Sequence, residues 1–300
     1  MRPIRSRHEV SEVAETDHRR SRGVVRGLAR GNYTRVVLLA TGLVYLTVLL
    51  GVSTRATAAG LACNANWPLC DGGILNLFPA TMPSAFEWIH RVVAMIAGFA
   101  IVGSAVAAYR DGAPRRVMGA VALGTALLPV QVLLGRETVV SFVPEVLAAH
   151  YWTAMTIYAL FVAATVGAYL DAVTFRQARW ALIGGLAALP IVVVLGPPVV
   201  VGYSFWIQAT QYAVLLPAFA ALLFAAIVGW RRGPDHQGFR ALLVAGAGLL
   251  PVVVYLMRQR IVHPPDSLFA LAHPPATLLL FVVVGAAAIW ANRSAGAHPR

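Results

Sequence analysis

Eight apolar runs constrain this chain more than anything else in it. They cover residues 36–53, 85–109, 117–135, 146–170, 179–198, 205–230, 239–257 and 267–291. A helix needs about 20 predominantly apolar residues to cross the hydrocarbon of a bilayer. Lipid offers no partner to a bare N–H or C=O, so such runs must satisfy their backbone internally, as helices. The composition agrees: 59% of the residues are hydrophobic, 12% are charged and the mean hydropathy is +0.72. A soluble domain carries roughly 25% charged residues. The expected fold is all-α, a multi-pass membrane protein with eight spans. The fifth run is the least regular, because Pro190, Pro197 and Pro198 interrupt or end it.

The formal net charge of +12 would suit a nucleic-acid binder, but its distribution does not. No lysine is present, and the arginines cluster in the first 35 residues and in particular loops. Arg110, Arg115 and Arg116 follow the second run, Arg176 and Arg179 the fourth, and Arg231, Arg232 and Arg240 the sixth. The loops between these are poor in charge, with Arg258 and Arg260 after the seventh run as an exception. By the positive-inside rule both termini are expected in the cytoplasm of a cell-membrane protein. Residues 1–35 read as a basic cytoplasmic tail without the apolar core of a signal peptide. The lipid bilayer, and no nucleic acid, is the expected large partner.

This topology puts the loop from Ser53 to Pro83 outside the cell. Within it, Cys63 and Cys70 flank Trp67 and Pro68. Their spacing permits a disulfide without requiring one, and compartment decides.

Ionisable groups inside spans are costly and mark function by default. Glu87, His90 and Arg91 lie near the start of the second run, His150 in the fourth, Gln208 and Gln211 in the sixth, and His273 in the eighth. Even-numbered spans run in one direction, so these groups share a depth toward the outer side. The recurrence suggests two pseudo-symmetric four-helix bundles, 36–170 and 171–300. Two imidazoles on facing helices are what a six-coordinate haem iron requires, and His90 with His150 is the best such pair. Each could instead be a hydrogen-bonded packing residue. Glu87 could carry a proton, orient an imidazole, or merely pair with Arg91 or Arg136. Arg91 suits a haem propionate or a snorkelling position. Gln131, ahead of Gly135 in the third run, could wall the same cavity or only bond a neighbouring helix. In the second half, His273 stands where a ligand is expected. Pro274 and Pro275 follow it directly and are expected to constrain the helix start.

The Cys63–Cys70 loop, Glu87-Trp88-Ile89-His90-Arg91, Gln131-x-x-x-Gly135 and Ala149-His150 resemble the haem A synthase family, in its bacterial and archaeal form. That resemblance implies two four-helix bundles and oxidation of the C8 methyl of haem O to a formyl group. It implies substrate haem O between His90 and His150, with Glu87 beside the reacting edge. It implies a Cys63–Cys70 disulfide and a haem B cofactor held by two histidines in the second half. It also implies an electron acceptor or donor, with haem O synthase or oxidase assembly proteins as partners. The second half departs from this pattern. Gln211 occupies the position where the mate of His273 would stand, and the sixth run has no histidine. The competing readings are a haem-binding electron carrier or haem-handling protein without synthase activity, and a transporter.

Overall fold

A computed structural model describes residues 32–57, 59, 62–63, 66–67, 70, 79, 81–141, 143–197, 202, 204–260 and 263–296. The basic tail expected over residues 1–35 lies outside the described residues up to position 31. The described residues are helical: α1 (Tyr33–Ala56), α2 (Met82–Arg110), α3 (Arg115–Ala126), α4 (Leu128–Val140), α5 (Pro144–Tyr169), α6 (Phe175–Val194), α7 (Phe205–Arg232), α8 (Gln237–Gln259) and α9 (Leu268–Gly296). A short 3-10 turn, Leu170–Ala172, follows α5. With α3 and α4 counted as one span, eight helical segments are long and apolar enough to cross a membrane. The chain is a multi-pass membrane protein.

Three spans differ from the sequence reading for identifiable reasons. The third span breaks at Leu127 and then continues to Val140, past the expected end at residue 135. Pro129 has no N–H to continue the ladder, which divides the span into α3 and α4. The fifth span starts earlier, at Phe175, because Thr174 and Gln177 form a capping box. The Gln177 side chain accepts from Thr174 N at 2.7 Å. It ends at Val194, with Pro190 inside the helix and Pro197 beyond it. In the eighth span, Pro274 and Pro275 lie within α9, which begins at Leu268. His273 is therefore an interior helical residue. Membrane helices accept such prolines when neighbouring groups absorb the freed backbone sites.

α1 packs on α2 and α5, and α3 and α4 on α5. In the remainder, α6 packs on α7 and α9, and α8 on α7 and α9. The two sets meet where α1 and α5 lie against α7. Hydrocarbon supplies no hydrophobic drive between helices, so close packing and polar pins must hold them. Thr41 and Thr165 share a 2.7 Å hydroxyl contact between α1 and α5. Tyr158 on α5 donates to the Leu216 carbonyl of α7 at 3.1 Å. Arg258 lies over the Tyr151 ring, 4.7 Å from its centroid, and reaches the Tyr212 hydroxyl at 3.4 Å. That position gives the exceptional arginine after the seventh run a tertiary role, joining α8 to α5 and α7.

Candidate functional site

The site is built on the start of α2. Thr81 caps this helix, its hydroxyl accepting from Ser84 N at 3.2 Å, with proline in the first turn. Ser84 in turn donates to the Ala62 carbonyl at 3.2 Å, tying the helix start to the preceding loop. In that loop Cys63 and Cys70 form a disulfide, both sulfurs lying in buried residues. Trp67, between them, is exposed.

One turn into α2, Glu87 is buried at 5% exposure. Its carboxylate accepts from Arg91 Nε at 2.7 Å, one helical turn on. Arg91 also donates through Nη1 to the Asn66 carbonyl at 2.9 Å. The guanidinium thus bridges the helix and the disulfide loop. Of the alternatives open in the sequence, Glu87 takes Arg91 as partner. Arg136 pairs instead with the adjacent Glu137, half exposed at the end of α4. Exposed pairs of that kind contribute little.

His90 faces α1, beside the Thr47 backbone and against Gly51. A Cβ built on Gly51 would lie 3.0 Å from the imidazole Cε1. His150, in the second turn of α5, has the same surroundings: a Cβ on Gly135 would lie 3.1 Å from its Cε1. Gln131, one turn before Gly135 on α4, places its amide nitrogen 3.4 Å from His150 Nε2. Each imidazole therefore rests on a glycine of a neighbouring helix, where no side chain competes for the space.

Three polar atoms here are buried without a hydrogen-bonding partner among the described residues: His90 Nδ1, His150 Nδ1 and Gln131 Oε1. An unmet buried polar atom costs about 1–3 kcal/mol. Three of them lie on the two imidazoles and on the glutamine beside His150. Neutral imidazole nitrogens are ligands for transition metals, haem iron included. No three His, Cys, Asp or Glu side chains converge among the described residues.

The glycine contacts carry a prediction. Gly135→Ala should push the His150 ring by a few tenths of an ångström and weaken haem binding by about fivefold, or about 1 kcal/mol. Gly51→Ala should do the same through His90. Haem titration of the purified variants against the parent checks both.

The corresponding residues of the second half are differently engaged. Gln211, fully buried in α7, donates to the Val192 carbonyl at 2.7 Å and lies 3.3 Å from Met257 Sδ. His273 is buried, with Nε2 3.4 Å from the Thr277 hydroxyl. That hydroxyl gives its own proton to the His273 carbonyl at 2.8 Å, so the ring nitrogen is the donor between them. His263 stacks on Phe269 at 4.6 Å, away from these groups in sequence and held by the ring.

The sequence reading did not anticipate Gly51, Asn66 or Met257. Gly51 carried a signal, a glycine late in an apolar run just ahead of the cysteine loop. Asn66 acts through its backbone and Met257 resembles any apolar residue, so neither carried one.

Comparison with known proteins supplies the family. One stretch of 109 residues is 41% identical to a protoheme IX farnesyltransferase of Halobacterium salinarum, covering 36% of this chain and 23% of that protein. A stretch of 129 residues is 39% identical to the protoheme IX farnesyltransferase of Haloarcula marismortui, 43% of this chain and 27% of that protein. A heme A synthase of Bacillus licheniformis is 33% identical over 105 residues, 34% of each chain. The aligned stretches thus span about a quarter of the farnesyltransferases and about a third of the synthase. The family model for cytochrome oxidase assembly proteins, COX15-CtaA, matches residues 34–299, nearly every described residue, and the chain belongs to that family.

Proposed function

We propose that this protein is a haem A synthase, which oxidises the C8 methyl of haem O to a formyl group within the membrane. The observation that carries this reading is the pair His90 and His150, each resting on a glycine and each with a buried ring nitrogen left unbonded. The likeness to proteins named protoheme IX farnesyltransferase and heme A synthase supports haem as the ligand class.

In this reading His90 and His150 bind the substrate's iron and fix which edge of the macrocycle meets Glu87. Turning a methyl into a formyl group is a four-electron oxidation; written with water as the donor of the oxygen atom, it releases four electrons and four protons. The electrons pass to a separate acceptor, the protein's redox partner. Glu87 receives protons at the edge of the site, and Arg91 holds the carboxylate in place through its 2.7 Å bond. Gln131 orients His150. The Cys63–Cys70 disulfide and the Arg91 bond to the Asn66 carbonyl tie this loop to α2 beside the site.

The wider organisation follows the same line. Residues 36–170 form the substrate half and residues 171–300 a pseudo-symmetric second half. The preferences of α1 for α2 and α5, and of α6 for α7 and α9, support that division. The arginine distribution supports cytoplasmic termini in the cell membrane. An enzyme that forms haem O is the natural supplier, and oxidase assembly proteins are the natural recipients.

The test is co-expression with a haem O-forming farnesyltransferase, followed by extraction and mass analysis of the haems. Conversion to haem A or its hydroxylated precursor is the expected result. Haem bound at the site with no oxidised product would favour a haem-handling role instead. Glu87→Gln should retain bound haem but lower conversion about tenfold or more. Full conversion by that variant would remove Glu87 from proton transfer.

A further inference from the structure

Each half sets a glycine beside a buried polar side chain of another helix, but the second half fills the space from a third helix. Near the end of α1, Gly51 receives the His90 ring. Just beyond the end of α6, Gly196 faces the equivalent residue of α7: a Cβ there would lie 3.3 Å from Gln211 Nε2. The same Cβ would lie only 2.5 Å from Met257 Sδ. The atoms nearest the glycine, those of an imidazole in the first half, are here headed by a thioether from α8. Gln211 is committed to the Val192 carbonyl and the Met257 sulfur. Neither Gln211 nor His273 has a side-chain atom among the buried unpartnered ones, in contrast to His90, Gln131 and His150.

The chemistry points the same way. An amide nitrogen has its lone pair delocalised into the carbonyl and does not bind iron. The amide oxygen is a hard donor, poorly matched to a haem that elsewhere takes imidazole, thiolate, thioether or phenolate. The phenol next to Gln211 in sequence, Tyr212, has its hydroxyl 3.4 Å from Arg258, which donates to it. Met257 could in principle supply a thioether, but its sulfur is packed between Gly196 and the Gln211 amide. The residues present do not fit a haem B held by two axial ligands.

We infer that this chain holds one haem, in its first half, and that the second half is a closed packing module locked by Gln211, Val192 and Met257. The inference rests on the proposed haem-binding role of His90 and His150 only for the count of one. Closure of the second half stands on its own contacts. Electrons released in the first half then leave to the partner without a second haem in this chain.

The experiment is the haem content of the full-length protein, purified in mild detergent from a host that makes both haem B and haem O. Pyridine haemochrome absorbance is set against protein concentration by amino-acid analysis. The expected value is one haem per chain, unchanged in Met257→Leu and in His273→Ala, and lost in the double variant His90→Ala, His150→Ala. Two haems per chain would overturn the inference while sparing the proposed function. So would a haem that survives the double variant and is lost in Met257→Leu or His273→Ala. A chain with no haem at all would overturn the proposed function and, with it, the count of one. Met257→Leu conserves volume, which guards against a loss of haem that merely reflects misfolding.

Discussion

Replacing His150 with alanine is expected to lower the haem retained by the purified protein by about a hundredfold in affinity, or about 2.8 kcal/mol. Conversion of haem O should fall below detection. The ring is held between Gly135 and the Gln131 amide, and His90 is its proposed mate. His90→Ala should match it, because the proposed site loses one imidazole in either case. A sharper form of the experiment uses His150→Gly with imidazole added to the buffer. If the ring acts as a ligand, free imidazole should restore part of the low-spin haem spectrum. A purely structural role for His150 would show no such rescue.

The second large effect concerns the pair beneath the loop. Glu87 and Arg91 have side-chain exposures of 6% and 14%, and their contact is one helical turn long. Removing one member of a buried ion pair strands the other charge, which costs about 3–5 kcal/mol. Glu87→Ala and Arg91→Ala should therefore each lower the thermal unfolding midpoint in detergent markedly. The double variant should be less damaged than the sum of the two, since it leaves no stranded charge. Glu87→Gln retains an acceptor for Arg91 and should fall between the parent and Glu87→Ala. Arg91→Ala has an additional consequence, because it frees the Asn66 carbonyl. Faster proteolysis between Cys63 and Cys70 than in Glu87→Ala would show that Arg91 holds the loop as well as the carboxylate. Equal rates in the two variants would confine Arg91 to its pairing with Glu87.

Much of this site was legible in the chain itself. Glu87, His90 and His150 stood out because an ionisable side chain in an apolar run is expensive and therefore rare. Arg91 fell one helical turn after Glu87, which is enough to expect contact. The disulfide was compatible with the spacing of Cys63 and Cys70 but needed the fold to bring them together. Helix ends were less legible. The capping box at Thr174 moved one start, and the prolines of α9 proved to be interior residues where the sequence suggested a boundary.

The contrast between the halves shows where sequence reading stopped. Gln211 was visible as a missing histidine. Its consequence was not, because the residues that settle it, Val192 and Met257, lie on other helices and look like ordinary apolar filling. The pairing of His90 with Gly51 and of His150 with Gly135 was hidden for the same reason.

The eight spans were legible in the sequence alone. In lipid each span must close its own hydrogen bonds, so length and hydropathy are sufficient to find it. Which helix faces which, and hence which histidine meets a glycine and which glutamine meets a sulfur, was decided only in the tertiary structure. Hydrocarbon is as apolar as the helix surfaces it bathes, so no pattern of hydrophobicity selects a partner. Helix partners are chosen by close-range shape and by a few polar pins such as Thr41 with Thr165 and Tyr158 with Leu216.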